Sequence, residues 1–426
     1  MKGLFHVQQF MFKSIKNRPS RNLLKQGICA RTCGTTPGLF DIDEIILGER
    51  IESGRYCHVY EIKEFKQNHV SKCMMAQCTR DYMTKHVTRA DEARYVIKFI
   101  KKEFMRSHKT FEKAAVHLST DIDLMTTLNH KNIMRIKGLS TNGSEEYYNT
   151  GRHDAYFVIL ERLDETLDHR MKKWCRRAIR IKRSKPLRRL FNQQYLEEKH
   201  FLSERLQVAY EIAEALEYMH SHDIAFGHFT SESVGFNKRG SVQLYDLGDA
   251  AHVPFNGKIA NEGPVPDRMH HFIAPEVMLG KGYSAKADVY SFSTLLCEIV
   301  LVSGDKERRS QAREAAVNLR RLRKIAGKEA CAKMVDLLQR GWAFKPEKRP
   351  SMKEIREAIK TTMHLLSVEG KGEPLVHCRR ERMTQLFSPE QECCETESTD
   401  LGASYSESFT CIHESQQPCL SHDEEL

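Results

Sequence analysis

A lysine inside an apolar strand and a polar loop in the middle of the chain are the residues best suited to chemistry. Lys98 lies in YVIKFI, among apolar neighbours. Burying an ammonium group without a partner is costly, so this lysine is expected to face an anion, with an ordinary edge position as the alternative. The loop DIAFGHFTSESVGF, residues 223–236, contains His228, which could accept a proton, and Ser233, whose hydroxyl could bind a metal ion through water.

Apolar patterning divides the chain into a strand-rich part and a helical part. The stretch DEIILGERIESGRYCHVYEIKEF predicts two strands around a turn at Gly54. Strands are also predicted at RYVIKFI, NIMRIKGLS and AYFVILERL, and residues 109–128 have the spacing of a helix with one apolar face. After Asp164 helices dominate. Residues 203–222 predict an amphipathic helix, and helical patterns continue to about residue 366.

Composition excludes several classes of protein. The 426 residues are 40% hydrophobic and 29% charged, which is enough for a sizeable core and is not a disordered composition. The longest apolar run, 292–302, is too short to span a bilayer and contains Glu298, so it predicts a buried helix. The thirteen cysteines are scattered, which favours thiols in a reducing compartment. The alternative is a metal pair at Cys29 and Cys33 or at Cys73 and Cys78.

Charge is distributed unevenly along the chain. Residues 1–40 contain seven Lys or Arg and no acid, which is typical of a disordered basic arm or, alternatively, of a transit peptide. Residues 170–189 contain eleven Lys or Arg and no acid. Residues 383–426 contain ten Asp or Glu and no Lys or Arg, within a Ser/Thr-rich tail at 367–426 that is predicted to be disordered. A cytoplasmic location is expected, or a mitochondrion or other organelle if 1–40 is a transit segment.

The order of these parts resembles the eukaryotic protein kinase domain. The resemblance covers residues 41–366 and rests on separated motifs in the family's order: YVIKFI, YDLG, APE, ADVYSF and PEKRPS. It implies an α+β, bilobal fold with a strand-rich N-lobe at 41–163 and a mainly helical C-lobe at 164–366, which contains a basic insert at about 170–199. It also implies ATP and Mg²⁺ as ligands.

The intact motifs imply contacts with the nucleotide. Lys98 falls where the family's strand lysine holds the α- and β-phosphates of ATP, and Asp246 falls where its aspartate chelates magnesium. In FVILERL, Leu160 would guard the back of the pocket. Backbone groups from Glu161 to Leu163 would face adenine. An ordinary buried strand would have the same letters.

Three further residues match structural positions of the family. Glu276 of APE is expected to pair with Arg349 and to clamp the end of the activation segment. Asp288 of ADVYSF is expected to hold the backbone of the catalytic loop. These matches support the fold rather than catalysis.

The glycine-rich turn over the nucleotide is degraded. In the family's pattern GxGxxGxV, the three glycine positions are occupied by Glu52, Gly54 and Cys57, and Val59 closes the pattern. Glycines let the backbone approach phosphate, and Glu52 adds a negative charge. We therefore expect a weakened phosphate grip, with Ile51, Gly54 and Val59 still in contact with the nucleotide.

The helix partner of Lys98 and the activation segment also depart from the family. Asp121 stands where the family has a glutamate, one methylene longer, so an ion pair with Lys98 requires the helix to lie further inward. Residues 249–273 contain no Ser, Thr or Tyr, so no hydroxyl there can be phosphorylated.

The catalytic loop is changed at four positions at once. The family's His-Arg-Asp becomes Phe226-Gly227-His228, its lysine becomes Thr230 and its metal-binding asparagine becomes Ser233. The aspartate orients the substrate hydroxyl, and the lysine stabilises the transferred phosphoryl group. The sequence therefore resembles a pseudokinase that scaffolds or regulates protein partners, with weak binding of ATP and Mg²⁺. The alternative is an active Ser/Thr protein kinase with an atypical loop. An anionic surface or nucleic acid bound at 170–189 is compatible with either function.

Overall fold

The computed structural model describes residues 36–66, 74–90, 92–141, 152–182, 193–253, 271–302 and 311–368. A strand-rich lobe is followed by a mainly helical one, and the predicted bilobal α+β fold is confirmed. The predictions for the N-terminal arm up to residue 35 and for the acidic tail concern residues outside these ranges, as do Cys29, Cys33 and Cys73.

The first lobe contains eight strands and two helices among its described residues. Its strands are β1 (Gly38–Phe40), β2 (Ile45–Ser53), β3 (Cys57–Phe65), β4 (Thr88–Arg89), β5 (Glu92–Ala93), β6 (Tyr95–Ile100), β7 (Ile136–Ser140) and β8 (Phe157–Glu161). Its helices are α1 (Met74–Lys85) and α2 (His108–Thr127). Six strands form one sheet in the order β1-β7-β8-β6-β3-β2, and β4 pairs with β5 as a separate hairpin.

The sheet holds Lys98 at its centre. Strand β6 lies between β3 and β8, and in the register Lys98 is opposite Val59 on one side and Val158 on the other. All six residues of β6 are buried, because aromatic and branched side chains pack on both faces of the strand. The backbone of this lysine is therefore fixed, and its side chain can reach only what faces one side of the sheet.

The sheet includes residues before the predicted boundary at residue 41. Strand β1 pairs in parallel with β7 at the edge of the sheet, and Phe40 is fully buried. Helix α1, in a stretch that lacked a clear pattern, packs beside β1. Its buried Arg80 binds both carboxylate oxygens of Glu44 at 2.6 and 2.8 Å and the carbonyl oxygen of Leu39 at 2.8 Å. The ion pair helps to hold α1 beside β1, at the edge of the sheet. The apolar pattern of the sequence did not predict this arrangement.

The second lobe is built mainly from helices. Its helices are α3 (Leu167–Lys182), α4 (Gln193–Ser221), α5 (Pro275–Met278), α6 (Ala285–Leu301), α7 (Gln311–Gly341, interrupted at Gly327) and α8 (Met352–Val368). Its short strands are β9 (Glu165–Thr166), β10 (Ile224–Ala225), β11 (Val234–Phe236), β12 (Val242–Leu244) and β13 (Ala251–His252). The basic stretch predicted as an insert is helical up to residue 182, and the helix expected at 203–222 already begins at Gln193.

A continuous apolar core carries the loop at 223–236. Phe226 and Phe229 are buried, with ring centroids 5.2 Å apart, and Phe229 packs on Phe292 of α6 at 6.3 Å. The apolar run at 292–302 lies in α6, and Phe292 is fully buried. Over the described ranges, no helix combines the length and apolar character needed to cross a membrane.

Candidate active site

Three charged side chains meet between the sheet and the second lobe. The Nζ atom of Lys98 lies 2.7 Å from Oδ2 of Asp121 and 2.7 Å from Oδ1 of Asp246. Asp121 is fully buried on α2, and its second oxygen accepts a hydrogen bond from the backbone N–H of Leu247 at 2.8 Å. The shorter aspartate thus reaches Lys98, because α2 lies close enough to the turn after Asp246 to bond with it directly.

The charges in this triad shift each other's protonation. Burial alone would lower the pKa of Lys98, but the Asp121 and Asp246 carboxylates outweigh it and raise that pKa well above its usual value. Burial would raise the pKa of Asp246, yet the Lys98 ammonium, followed by His117, lowers it to about 2. Lys98 and Asp246 are therefore both charged near neutral pH.

Acid is expected to weaken this triad in a defined window. The pKa of Asp246 is depressed to about 2 in the folded protein, against about 3.9 for an unfolded aspartate. Its contribution to stability is therefore complete above the unfolded value and is lost as the pH falls through the folded value. The difference in free energy of unfolding between the native protein and Asp246→Asn, measured in urea, should narrow between about pH 4 and pH 2. A difference that stays constant down to pH 2 would contradict the pairing.

The turn between β2 and β3 lies folded against the first residues after Asp246. Arg55, at its tip, lies 3.7 Å from the Asp249 carboxylate. Tyr56 packs against His117 of α2, with ring centroids 5.1 Å apart. A Cβ added at Gly54 would meet nothing closer than the Cys57 carbonyl oxygen at 3.7 Å, so this turn does not require glycine there.

The replaced glycine positions carry side chains with electrostatic consequences. Partial burial and the neighbouring Asp246 carboxylate raise the pKa of Glu52. Glu52 is therefore a second acid near the site where phosphates would lie. Burial raises the pKa of the Cys57 thiol to about 12, so this thiol stays protonated. Val59 is half-buried and packs against the main core, while Ile51 is exposed on the same strand pair.

The segment after β8 offers backbone groups toward the cleft. The backbone N–H of Arg162 donates to the carbonyl oxygen of Arg94 at 2.8 Å. Because successive residues of an extended chain point to opposite sides, the peptide groups of Glu161 and Leu163 are directed away from β6. Leu160, at the back, is 7% exposed.

The floor below this segment lacks a side chain. A Cβ at Gly235 would lie 2.5 Å from Cδ1 of Leu163 and 3.2 Å from Cε1 of Tyr245. The side chains of Leu163 and Tyr245 thus fill the volume that a residue at 235 would otherwise occupy. Sequence patterning did not identify Gly235 or Tyr245 as part of the site.

A buried aspartate holds the loop that would carry catalysis. Asp288 is fully buried and accepts hydrogen bonds from the backbone N–H of Phe226 at 2.7 Å and of Gly227 at 3.2 Å. His220 Nε2 lies 2.8 Å from its carboxylate, and the Tyr283 hydroxyl also donates to it. Asp288 thus tethers the backbone of the loop at Phe226 and Gly227.

The hydroxyl groups of Thr230 and Ser233 bond to the loop itself. Thr230 is 3% exposed, and its hydroxyl accepts from the backbone N–H of Glu232 at 3.2 Å, capping a short 3₁₀ turn. The Ser233 hydroxyl donates to the His228 carbonyl oxygen at 3.4 Å. The His228 ring is half-buried, and within the described residues its Nε2 atom has no hydrogen-bond partner. Burial lowers the pKa of His228, so it is neutral near pH 7.

An ion pair clamps the end of the segment that follows. Arg349 binds both carboxylate oxygens of Glu276 at 2.7 Å each, and both residues are buried. Arg349 also donates to the carbonyl oxygens of Ala343 and Lys286, at 2.9 and 2.8 Å. The intervening residues 254–270 lie outside the described ranges.

Comparison with known proteins decides the family. The family model for protein tyrosine and serine/threonine kinases matches residues 45–359, which carry every site residue described above. The chain belongs to the protein kinase family. Its kinase domain has the strand lysine, the helix acid and the turn aspartate in contact.

The curated relatives are distant, and each match covers well under half of the relative. The chain is 27% identical over 155 residues to a probable serine/threonine-protein kinase of Dictyostelium discoideum, a match that covers 36% of each protein. It is 24% identical over 269 residues to the mouse dual specificity testis-specific protein kinase 2, covering 61% of this chain and 40% of the relative. A second Dictyostelium probable serine/threonine-protein kinase is 24% identical over 263 residues, covering 59% of this chain and 34% of the relative. The chain thus spans well under half the length of these relatives.

The residues of the kinase domain fit the nucleotide that this family generally binds together with Mg²⁺. Lys98 would hold phosphate oxygens, and backbone groups at Glu161 and Leu163 would meet the base. Nearly half of the Asp246 side chain, 49%, is exposed, which leaves one carboxylate oxygen for a metal ion. Bound ATP would supply a transferable phosphoryl group, and Mg²⁺ would neutralise its charge.

Sequence reasoning missed two members of the charged cluster. His117 lies one helical turn before Asp121, and its Nε2 atom is 3.8 Å from the Asp249 carboxylate. His117 and Asp121 are four residues apart and therefore share one helix face, so their spacing could have indicated that His117 lies near the site. Asp249 follows Asp246 by three residues, but only the folded turn brings it toward α2 and toward Arg55.

Proposed function

We propose that this chain is a pseudokinase: a kinase domain that binds nucleotide weakly, transfers no phosphate and acts by scaffolding or regulating protein partners. The observation that carries the proposal is the state of the catalytic loop. The hydroxyls of Thr230 and Ser233 are engaged by the loop's own backbone. A neutral His228 stands where the family has a carboxylate.

The chemistry of these replacements argues against phosphoryl transfer. A neutral imidazole lacks the charge with which an aspartate orients a hydroxyl beside bound magnesium. Thr230 brings no positive charge to the transferred group, and loss of one such stabiliser costs roughly 3–4 kcal/mol in comparable sites. Each change alone slows the reaction, and here they occur together.

The same geometry supports weak rather than absent nucleotide binding. Lys98 is already paired with two carboxylates, so a phosphate must compete with Asp121 and Asp246 for it. Glu52 near Asp246 adds repulsion toward a polyanion, and Ser233 is a poorer metal ligand than an amide oxygen. The backbone groups of Glu161 and Leu163, which would contact the adenine base, do not depend on these replaced side chains.

Nucleotide binding is tested by thermal unfolding with and without Mg-ATP. Ligand at ten times its Kd stabilises by about 1.4 kcal/mol, which in a domain of this size raises Tm by roughly 2–4 °C. Lys98→Ala is expected to abolish the rise, whereas Lys102→Ala, which changes an exposed lysine nearby, should preserve it. An unchanged rise in Lys98→Ala would overturn the assignment of Lys98, and no rise at any ATP concentration would leave a purely structural domain.

Catalysis is tested separately by radiolabelled phosphate transfer to the protein itself and to a generic acceptor protein. We expect no transfer above background. Transfer that disappears in Asp246→Ala would show that the domain's own site is active and would sink the pseudokinase proposal.

The second candidate is an active Ser/Thr protein kinase with an atypical loop. The names of the curated relatives and the formed Lys98–Asp121 contact favour it. Its prediction is turnover that depends on Asp246, so the same assay separates the two functions. We also propose a cytoplasmic location, or an organellar one if residues 1–40 are a transit segment.

A further inference from the structure

Helix α3 has an apolar face and an opposite basic face. Its inner side is anchored by Leu167, Trp174, Ala178 and Ile181, which are all at most 7% exposed. Its outer side consists of exposed basic residues one helical turn apart: Lys172, Lys173, Arg176 and Arg180. We call these four residues the α3 basic face. The anchored side fixes the helix, so the basic face has a defined orientation.

Acidic neighbours neutralise only part of this helix. Lys172 pairs with Asp168 at 2.7 Å, and Lys173 pairs with Glu165 at 2.6 Å. Within the described ranges, Arg176 and Arg180 have no acidic partner. They lie four residues apart on one face, so one extended anionic chain could contact both guanidinium groups.

We propose that the α3 basic face binds the acidic C-terminal segment, residues 390–426, of the same chain. The proposal goes beyond the pseudokinase function and does not depend on it. The segment 383–426 has ten acids and no Lys or Arg, so its charge is complementary to the basic face. The sequence beyond α3 adds Arg183, Lys185, Arg188 and Arg189, which extends the basic character.

Chain length permits this contact. Helix α8 ends at Val368, and twenty-one residues separate it from Glu390, the first acid of the segment. Extended, they reach about 70 Å, whereas a domain of this size has a radius of gyration of about 20 Å. The segment can therefore reach any point on the domain's surface.

Tethering favours this occupant over a free polyanion. A segment linked to its site has an effective concentration in the millimolar range. A nucleic acid or an anionic membrane must displace the segment before it binds. The segment would thus act as a competitor that masks the basic face at low ionic strength.

A double-mutant cycle on the full-length chain tests the proposal, with heparin as the polyanionic probe. In the first variant, the ten acids of 383–426 are changed to Asn or Gln. In the second, Arg176→Glu is combined with Arg180→Glu. The matched control combines Lys109→Glu with Lys113→Glu, two exposed lysines with the same spacing on α2. The salt concentration that elutes each protein from a heparin column is measured.

Neutralising the acids should raise the eluting salt concentration in the native and control backgrounds. In the Arg176→Glu, Arg180→Glu background most of that rise should disappear, because the unmasked site is absent. An equal rise in all backgrounds would mean that the acids change only the net charge, and it would overturn the proposal.

Zero-length carboxylate–lysine cross-linking of the same proteins gives an independent readout. Cross-links from Lys172 or Lys173 to residues 390–426 are expected in monomers at low salt, and they should be lost at high salt. Cross-links found only in dimers would assign the acidic segment to a second copy and would contradict the intramolecular contact.

Discussion

Gly227→Ala is expected to lower the free energy of unfolding by about 2–6 kcal/mol. Gly227 has a φ of +91°, and an added Cβ would overlap the Asp249 carbonyl oxygen, a backbone atom. A non-glycine residue in such a conformation costs about 1–3 kcal/mol, and the overlap adds a similar amount. Urea unfolding followed by fluorescence of Trp174 and Trp342 measures the effect.

Gly240→Ala is the matched control. Gly240 also has a positive φ, +78°, but a Cβ there would meet no atom within 4 Å. Gly240→Ala should therefore cost only the conformational part, about 1–3 kcal/mol. If the two variants lose the same stability, the close approach of Asp249 does not constrain the loop.

The close approach at Gly227 also concerns function, because position 227 is where the family has an arginine. Restoring arginine requires the backbone at Asp249 to move, and Asp249 is tied to Arg55. The absence of the family's arginine at position 227 is therefore linked to the position of the backbone at Asp249. Gly227 is part of a packed arrangement in which the loop and the following segment approach more closely than an arginine permits.

Arg349→Met is expected to destabilise the domain by about 3–5 kcal/mol. The side chain of Arg349 is fully buried, and that of Glu276 is 8% exposed. Removing the guanidinium leaves the carboxylate buried without its partner and also frees backbone carbonyl oxygens. Calorimetric and urea unfolding should both report the loss.

Two further variants define the origin of this effect. Lys333→Met breaks an exposed i,i+4 pair with Glu329 and should change stability by about 0.5 kcal/mol or less. Combining Arg349→Met with Glu276→Leu should recover part of the loss, because no charge is then left unpaired. A loss in Arg349→Met no larger than in Lys333→Met would show that the buried pair does not stabilise the clamp.

Motif order and residue type were sufficient to predict the family and the two lobes. Lys98 is recognisable because an ammonium group among apolar strand residues requires an anion, and Asp246, Glu276, Asp288 and Arg349 are recognisable by their motifs. The described structure places these residues in contacts that suit the expected pairs. Strand β1 and helix α1 escaped prediction because a short edge strand and a helix held by a buried Arg80–Glu44 pair leave no apolar periodicity.

The sequence by itself determined which groups are present: a lysine, two aspartates and a loop that lacks the family's arginine, aspartate, lysine and asparagine. Only the tertiary structure decided what those groups bind. Asp121 reaches Lys98 because α2 packs against the turn at Leu247, and Leu163 and Tyr245 fill the space over Gly235. The hydroxyls of Thr230 and Ser233 point to their own loop. These outcomes depend on distances between segments far apart in the chain, which local residue patterns do not encode.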